Sequence, residues 1–134
     1  MKVAATAVIV KDGLVLSVLR KSSAKYGLPG GKCEELEAPE QAMIREVFEE
    51  TGLKVHKYDF IWKRTEKSDT TEDHYDCFVY YVEDFSGDIK SSDEGKAEWI
   101  THDLLFSEKY GAFPSYNKLT FDKLKQLKPN LILK

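Results

Sequence analysis

The chain has 134 residues, 42% of them hydrophobic and 32% charged, with a formal net charge of −3. That length suits one domain with a core of its own, spanning residues 1–134. A mildly acidic balance argues against broad, nonspecific nucleic-acid binding. The apolar start, Val3 to Val10, is too short to cross a membrane and lacks the layout of a signal peptide. A cytoplasmic setting is expected. Cys33 and Cys77 are the only cysteines, read as two thiols rather than a disulfide because no CxxC or metal-finger spacing occurs.

Val3 to Val10 and Leu14 to Leu19 are apolar runs separated by Lys11-Asp12-Gly13, a β-hairpin signal. Tyr26 to Gly31 reads as a glycine-rich loop. A helix is predicted from Pro39, suited to the first helical position, to a C-cap at Gly52. Met43 and Val47, with Ala42 and Ile44, form its predicted buried face, leaving its acids outward. Lys54 to Lys67 alternates partially, Ser68 to Asp73 is a polar turn, and His74 to Glu83 is the strongest strand. Phe85 to Asp88 turns again, Ala97 to Ile100 is a short strand, and His102 to Phe106 one helical turn. Ser115, read as an N-cap, opens a last helix to Leu127 with Tyr116, Leu119, Leu124 and Leu127 at helical spacing. Strands around two helices predict a mixed sheet packed between helices.

The chemistry concentrates in the Pro39–Gly52 helix. Glu46, Glu49 and Glu50 fall three and four residues apart, so they are predicted to converge on one patch. Like charges at that spacing destabilise a helix, and the negative end of the dipole near Gly52 adds to the repulsion. A hard divalent cation held by carboxylate oxygens, most simply Mg²⁺ with Mn²⁺ as the alternative, answers both.

Gly31, Glu37, Arg45, Glu46, Val47, Glu49, Glu50, Gly52 and Leu53 fill every specified position of G-x5-E-x7-R-E-U-x-E-E-x-G-U, where U is aliphatic. This segment, 31–53, resembles the Nudix box. The resemblance implies an α/β/α sandwich with a mixed sheet, the box forming a loop–helix–loop. It also implies Mg²⁺-dependent hydrolysis of a nucleoside diphosphate linked to another group. By the same resemblance Glu46, Glu49 and Glu50 are metal ligands, the Gly30 carbonyl completes their shell, Arg45 orients Glu49, and Glu37 organises the loop. Glu94, shortly before the Glu98-Trp99 strand, matches a further metal-binding acid of MutT-like members, with Asp93 as its alternate; the general base stays open between the box glutamates and such a loop acid.

Arg20 leads the phosphate contacts, followed by Lys32 and Lys21. Pro114-Ser-Tyr-Asn117 resembles a P-x-x-N segment in which the asparagine reads a purine edge, and Phe78, Tyr80 and Tyr26 are stacking candidates. Glu98 is read as a solvent-facing strand residue, Trp99 as core, and His56, His74 and His102 as structural or exposed. No proline lies between Pro39 and Pro114, and Ser68 to Thr71 offers no tyrosine, so the markers of ADP-ribose and diadenosine polyphosphate hydrolases are missing. The expected reaction is therefore conversion of an NTP or dNTP to the monophosphate and pyrophosphate by a monomer or homodimer. RNA 5′ ends, nucleotide sugars and a non-catalytic nucleotide-sensing role are the alternatives.

Overall fold

A computed structural model describes residues 2–67 and 74–134; the polar turn expected at Ser68 to Asp73 lies outside the described residues. Strands β1 (Lys2–Lys11) and β2 (Leu14–Arg20) form the predicted hairpin, with Val10 opposite Val15. Asp12 and Gly13 both have positive φ, 52° and 80°, the type I′ geometry that matches the twist of paired strands. Tyr26 to Gly31 is not all loop. It contributes the short strands β3 (Tyr26–Gly27), paired with β2, and β4 (Gly30–Lys32), paired with β1. Short pairings of this kind carry no alternation to read.

Helix α1 runs Pro39–Thr51, with Gly52 as a left-handed C-cap at φ 82°. The long antiparallel pair β5 (Lys54–Lys67) and β6 (His74–Ser86) follows, and β6 lies parallel to β1 from Lys2↔Tyr75 to Ile9↔Val82. Strand β7 (Gly95–Ile100) pairs antiparallel with β2, and α2 (Asp103–Phe106) and α3 (Pro114–Leu127) complete the described elements. The strand path is β3-β2-β1-β6-β5, with β4 beside β1 and β7 beside β2.

Alternation along β1 divides the core. Ala5, Ala7 and Ile9 pack with Ala42, Met43, Val47 and Leu53 on the α1 face. Val8 faces the other layer, with Leu105 of α2 and Phe121 and Leu124 of α3. Helices thus cover both faces of a mixed sheet, the α/β/α arrangement expected. Among the described residues no helix is long and apolar enough to cross a membrane. Cys33 is half-buried and Cys77 buried, and both are thiols.

Helix α3 departs from its predicted register. Its buried side chains are Asn117, Thr120, Phe121 and Leu124, whereas Leu119 and Leu127 are exposed. Two of the inward positions are polar, so counting apolar residues located the wrong stripe. Ser115 is not the cap; Phe113 occupies that position and Pro114 opens the helix.

Candidate active site

Glu46 and Glu50 are one helical turn plus a fraction apart and project from the same side of α1. Glu94, on the loop before β7, reaches them, and one carboxylate oxygen from each of the three lies within 4.8 Å of the others. Glu49 does not join them. It follows 100° around the helix from its neighbour Glu50, stays exposed, and meets Arg45 Nη1 at 3.2 Å. The three helix acids predicted to converge are thus brought together in part: Glu46 and Glu50 meet, joined by Glu94, the loop acid the resemblance also named, while Glu49 stays at Arg45.

Glu50 also departs from the outward placement expected, being only 8% exposed. The Gly30 N–H donates to its Oε1 at 2.7 Å. Gly30 has φ 153°, and a Cβ there would fall 2.2 Å from the Ala5 carbonyl oxygen. At Gly31 a Cβ would fall 2.7 Å from the Glu46 carboxyl carbon, so a bare backbone lets that acid lie flat against β4. Gly30→Ala should destabilise the fold by about 3–5 kcal/mol, since the obstacle is main chain rather than a movable side chain. Thermal unfolding would register it, and an unchanged midpoint would show that β4 can shift away from β1.

Burial pushes the Glu50 carboxyl up to about 8, and the nearby Glu46 and Glu94 charges add to the rise against the Gly30 hydrogen bond. Burial raises Glu46 as well, against the pull of Arg45. Crowded, poorly solvated carboxylates with hard oxygen donors fit a divalent cation of the Mg²⁺ type, which would supply the missing positive charge.

Arg45 braces this arrangement from below. Its Nε and Nη2 donate to the two oxygens of Glu37 at 2.8 and 2.9 Å, its Nη1 to Glu46 at 2.8 Å, and its Nη2 to the Lys32 carbonyl at 3.1 Å. Arg45 thus ties α1 to β4 and to the loop before the helix, and holds Glu46 more closely than Glu49. The Arg45 hydrogen bonds, reinforced by the Glu34 N–H, hold the Glu37 carboxyl down at about 2.

A cavity of about 420 Å³ opens over the acids, walled by Val18, Arg20, Lys21, Ser22, Gly30, Gly31, Glu50, Asp93 and Glu94. Arg20, at the end of β2, and Lys21 just past it thus line the same cavity as Glu50 and Glu94. Lys32 does not line it; its ammonium lies over the Tyr75 ring, 5.3 Å from the centroid. Asp93 lines the wall beside Glu94, and the Glu94 backbone N–H is held by Ser92 Oγ at 3.2 Å.

Asn117 is buried at the start of α3, and its Nδ2 donates to the Leu105 and Ala112 carbonyls at 2.9 and 2.7 Å. Both amide protons are taken up by the backbone, which removes the donor half of the edge-reading role expected of it. Phe78 and Tyr80 sit with Phe60 and Tyr58 in an aromatic group on the α1 face of the sheet, not at this cavity. Glu98 is not solvent-facing either. It is half-buried across from Ser17 on β2, one oxygen fully buried and the other paired with Lys96 at 3.3 Å, and its carboxylate, together with burial, raises the Tyr26 hydroxyl pKa. His102 stacks on Phe106 and Phe121, a structural position.

The fold is a mixed sheet between helix layers, in which two acids of the first helix and one loop acid meet beside Gly30. The NUDIX domain profile matches residues 1–121, and the chain belongs to that family. It is 31% identical over 99 residues to a MutT-like protein of Streptomyces ambofaciens, covering 72% of this chain and 60% of that protein. An ADP-ribose pyrophosphatase of Methanocaldococcus jannaschii is 31% identical over 97 residues, 70% of this chain and 57% of that one. The chain therefore spans less than two thirds of either. An 8-oxo-dGTP diphosphatase of Escherichia coli is 30% identical over 103 residues, covering 77% of this chain and 76% of that protein. Among solved structures, a MutT NUDIX hydrolase from Burkholderia pseudomallei superposes with a TM-score of 0.78 at 25% identity, covering 92% of this chain and 97% of that one.

Proposed function

We propose that this chain hydrolyses the diphosphate linkage of a nucleoside triphosphate, releasing the monophosphate and pyrophosphate, with Mg²⁺ (or Mn²⁺) held by Glu46, Glu50 and Glu94. The observation that carries this reading is the three-carboxylate cluster, two of whose members, Glu50 and Glu94, line a cavity that Arg20 and Lys21 line as well. When bound, a divalent ion neutralises phosphate charge and acidifies a coordinated water. Arg20 and Lys21 bind the phosphate oxygens and orient the chain along the cavity. Arg45 fixes the Glu46 carboxylate, and the Gly30 backbone fixes Glu50, so two of the three acids need no reorganisation on loading. Glu49, exposed and paired with Arg45, is free to swing toward the cluster when charge arrives, and Asp93 stands beside Glu94 as a second loop acid.

The names of two relatives, an ADP-ribose pyrophosphatase and an 8-oxo-dGTP diphosphatase, set the substrate panel. Purified protein would be assayed with Mg²⁺ or Mn²⁺ against the ribo- and deoxyribonucleoside triphosphates, 8-oxo-dGTP, ADP-ribose, nucleotide sugars and triphosphorylated or capped RNA. The expected outcome is a nucleoside monophosphate plus pyrophosphate, with triphosphates turned over fastest. Turnover of ADP-ribose, sugar nucleotides or RNA ends with none of the triphosphates would overturn the assignment.

A further inference from the structure

A second cavity, of about 250 Å³, adjoins the first and shares Arg20 and Ser22 with it. Lys25, Ala112, Phe113 and Pro114 also line it. Arg20 and Ser22 thus border both a cavity lined by Glu50 and Glu94 and one lined by Phe113, and a nucleotide likewise carries its phosphates and its base at opposite ends of the sugar.

The aromatic wall is held with unusual care. The Tyr26 N–H donates to the Tyr110 carbonyl at 2.7 Å and the Ala112 N–H donates to the Tyr26 carbonyl at 2.8 Å. Asn117 Nδ2 then grips the Ala112 carbonyl from the other side. Ala112 is thereby fixed in both directions, and Phe113 beyond it adopts φ 55°, ψ 54°. A bulky residue seldom enters that left-handed region, and such strain persists only where surrounding contacts impose it.

We propose that Phe113 is the face on which the substrate's nucleobase stacks, and that Asn117 is a positioning residue that holds this face in place rather than reading the base itself. The proposal rests on the nucleotide reading above and adds to it a specificity-determining residue outside the box. Stacking on an aromatic face accepts every base, so it predicts a general preference for nucleosides over bare sugar phosphates.

Calorimetric titration of the full chain with GMP, CMP and ribose 5-phosphate tests it without requiring turnover. The monophosphates should bind about tenfold or more tightly than ribose 5-phosphate. Phe113→Ala should erase that difference while leaving ribose 5-phosphate affinity within about twofold, and Phe113→Trp should retain it. Should the alanine variant fail to fold, Phe113→Gly, which suits the left-handed backbone, carries the same comparison. Asn117→Asp removes the donors; in the parental background it should weaken binding of GMP and CMP alike, whereas direct reading by Asn117 would change the preference between the two bases. A preference that survives in Phe113→Ala, or its absence from the parental protein, overturns the proposal. Failure of the hydrolysis reading is separate, appearing as absent triphosphate turnover with the binding preference intact.

Discussion

Glu50→Gln is expected to lower triphosphate turnover by about 10³-fold or more while leaving the fold intact. The amide keeps the size of the side chain but cannot supply the anionic oxygen that a cation at this cluster needs, and electrostatic stabilisation of developing charge is the main source of rate in phosphoryl transfer. Steady-state kinetics with saturating Mg²⁺ would measure it, and near-parental turnover would remove Glu50 from the reaction. The same variant has a second signature in metal-free protein. Because the buried carboxyl titrates near 8 instead of at its ordinary 4.5, the folded state favours its protonated form. That favourable contribution is complete below about pH 4.5 and is lost as pH rises through 8. In chelator, parental stability should therefore fall by on the order of 2–5 kcal/mol between those limits, and Glu50→Gln should flatten the decline. Added Mg²⁺ should restore parental stability at pH 8 but leave the variant almost unmoved. Parallel pH profiles for the two proteins would show that Glu50 is solvated in solution.

Arg45→Lys is the second large effect, although the charge is preserved. The guanidinium serves both Glu37 oxygens, Glu46, Glu49 and the Lys32 carbonyl at once, which a single ammonium cannot reproduce. With Glu46 no longer braced, metal affinity and turnover should each fall about 10–100-fold, the usual scale for loss of a group that orients a ligand. Titration with Mn²⁺ monitored by electron paramagnetic resonance would follow the first and kinetics the second. A variant with parental Mn²⁺ affinity would show that Glu46 keeps its place without the fork.

Much of this was legible in the chain itself. Pro39 and Gly52 bounded α1 because each has a backbone reason to stand at a helix end, and Asp12-Gly13 marked the first hairpin for the same kind of reason. The box positions pointed to α1 as the carrier of the acids. Glu94 was named by the resemblance and not by helix spacing, because it arrives from a loop; the divergence of Glu49 from Glu50 was not legible, because it depends on which side of α1 packs inward. The inner face of α3 was misread for another reason: Asn117 and Thr120 are buried by hydrogen bonding, with Thr120 Oγ1 accepting from Trp62 and Arg64, and hydropathy is blind to burial achieved that way. Phe113 left no trace beyond the proline after it, since its conformation is imposed by partners far along the chain.

The helix carrying the acids packs on one face of the sheet and α3, which follows Phe113, on the other, while Arg20 at the end of β2 lines both cavities. One side of the sandwich can thus accumulate change without disturbing the other. Two relatives, each about 30% identical to this chain over roughly 100 aligned residues, bear the names ADP-ribose pyrophosphatase and 8-oxo-dGTP diphosphatase. Exchanging residues 107–117 among such relatives would show directly whether that segment sets the preference for one substrate over another.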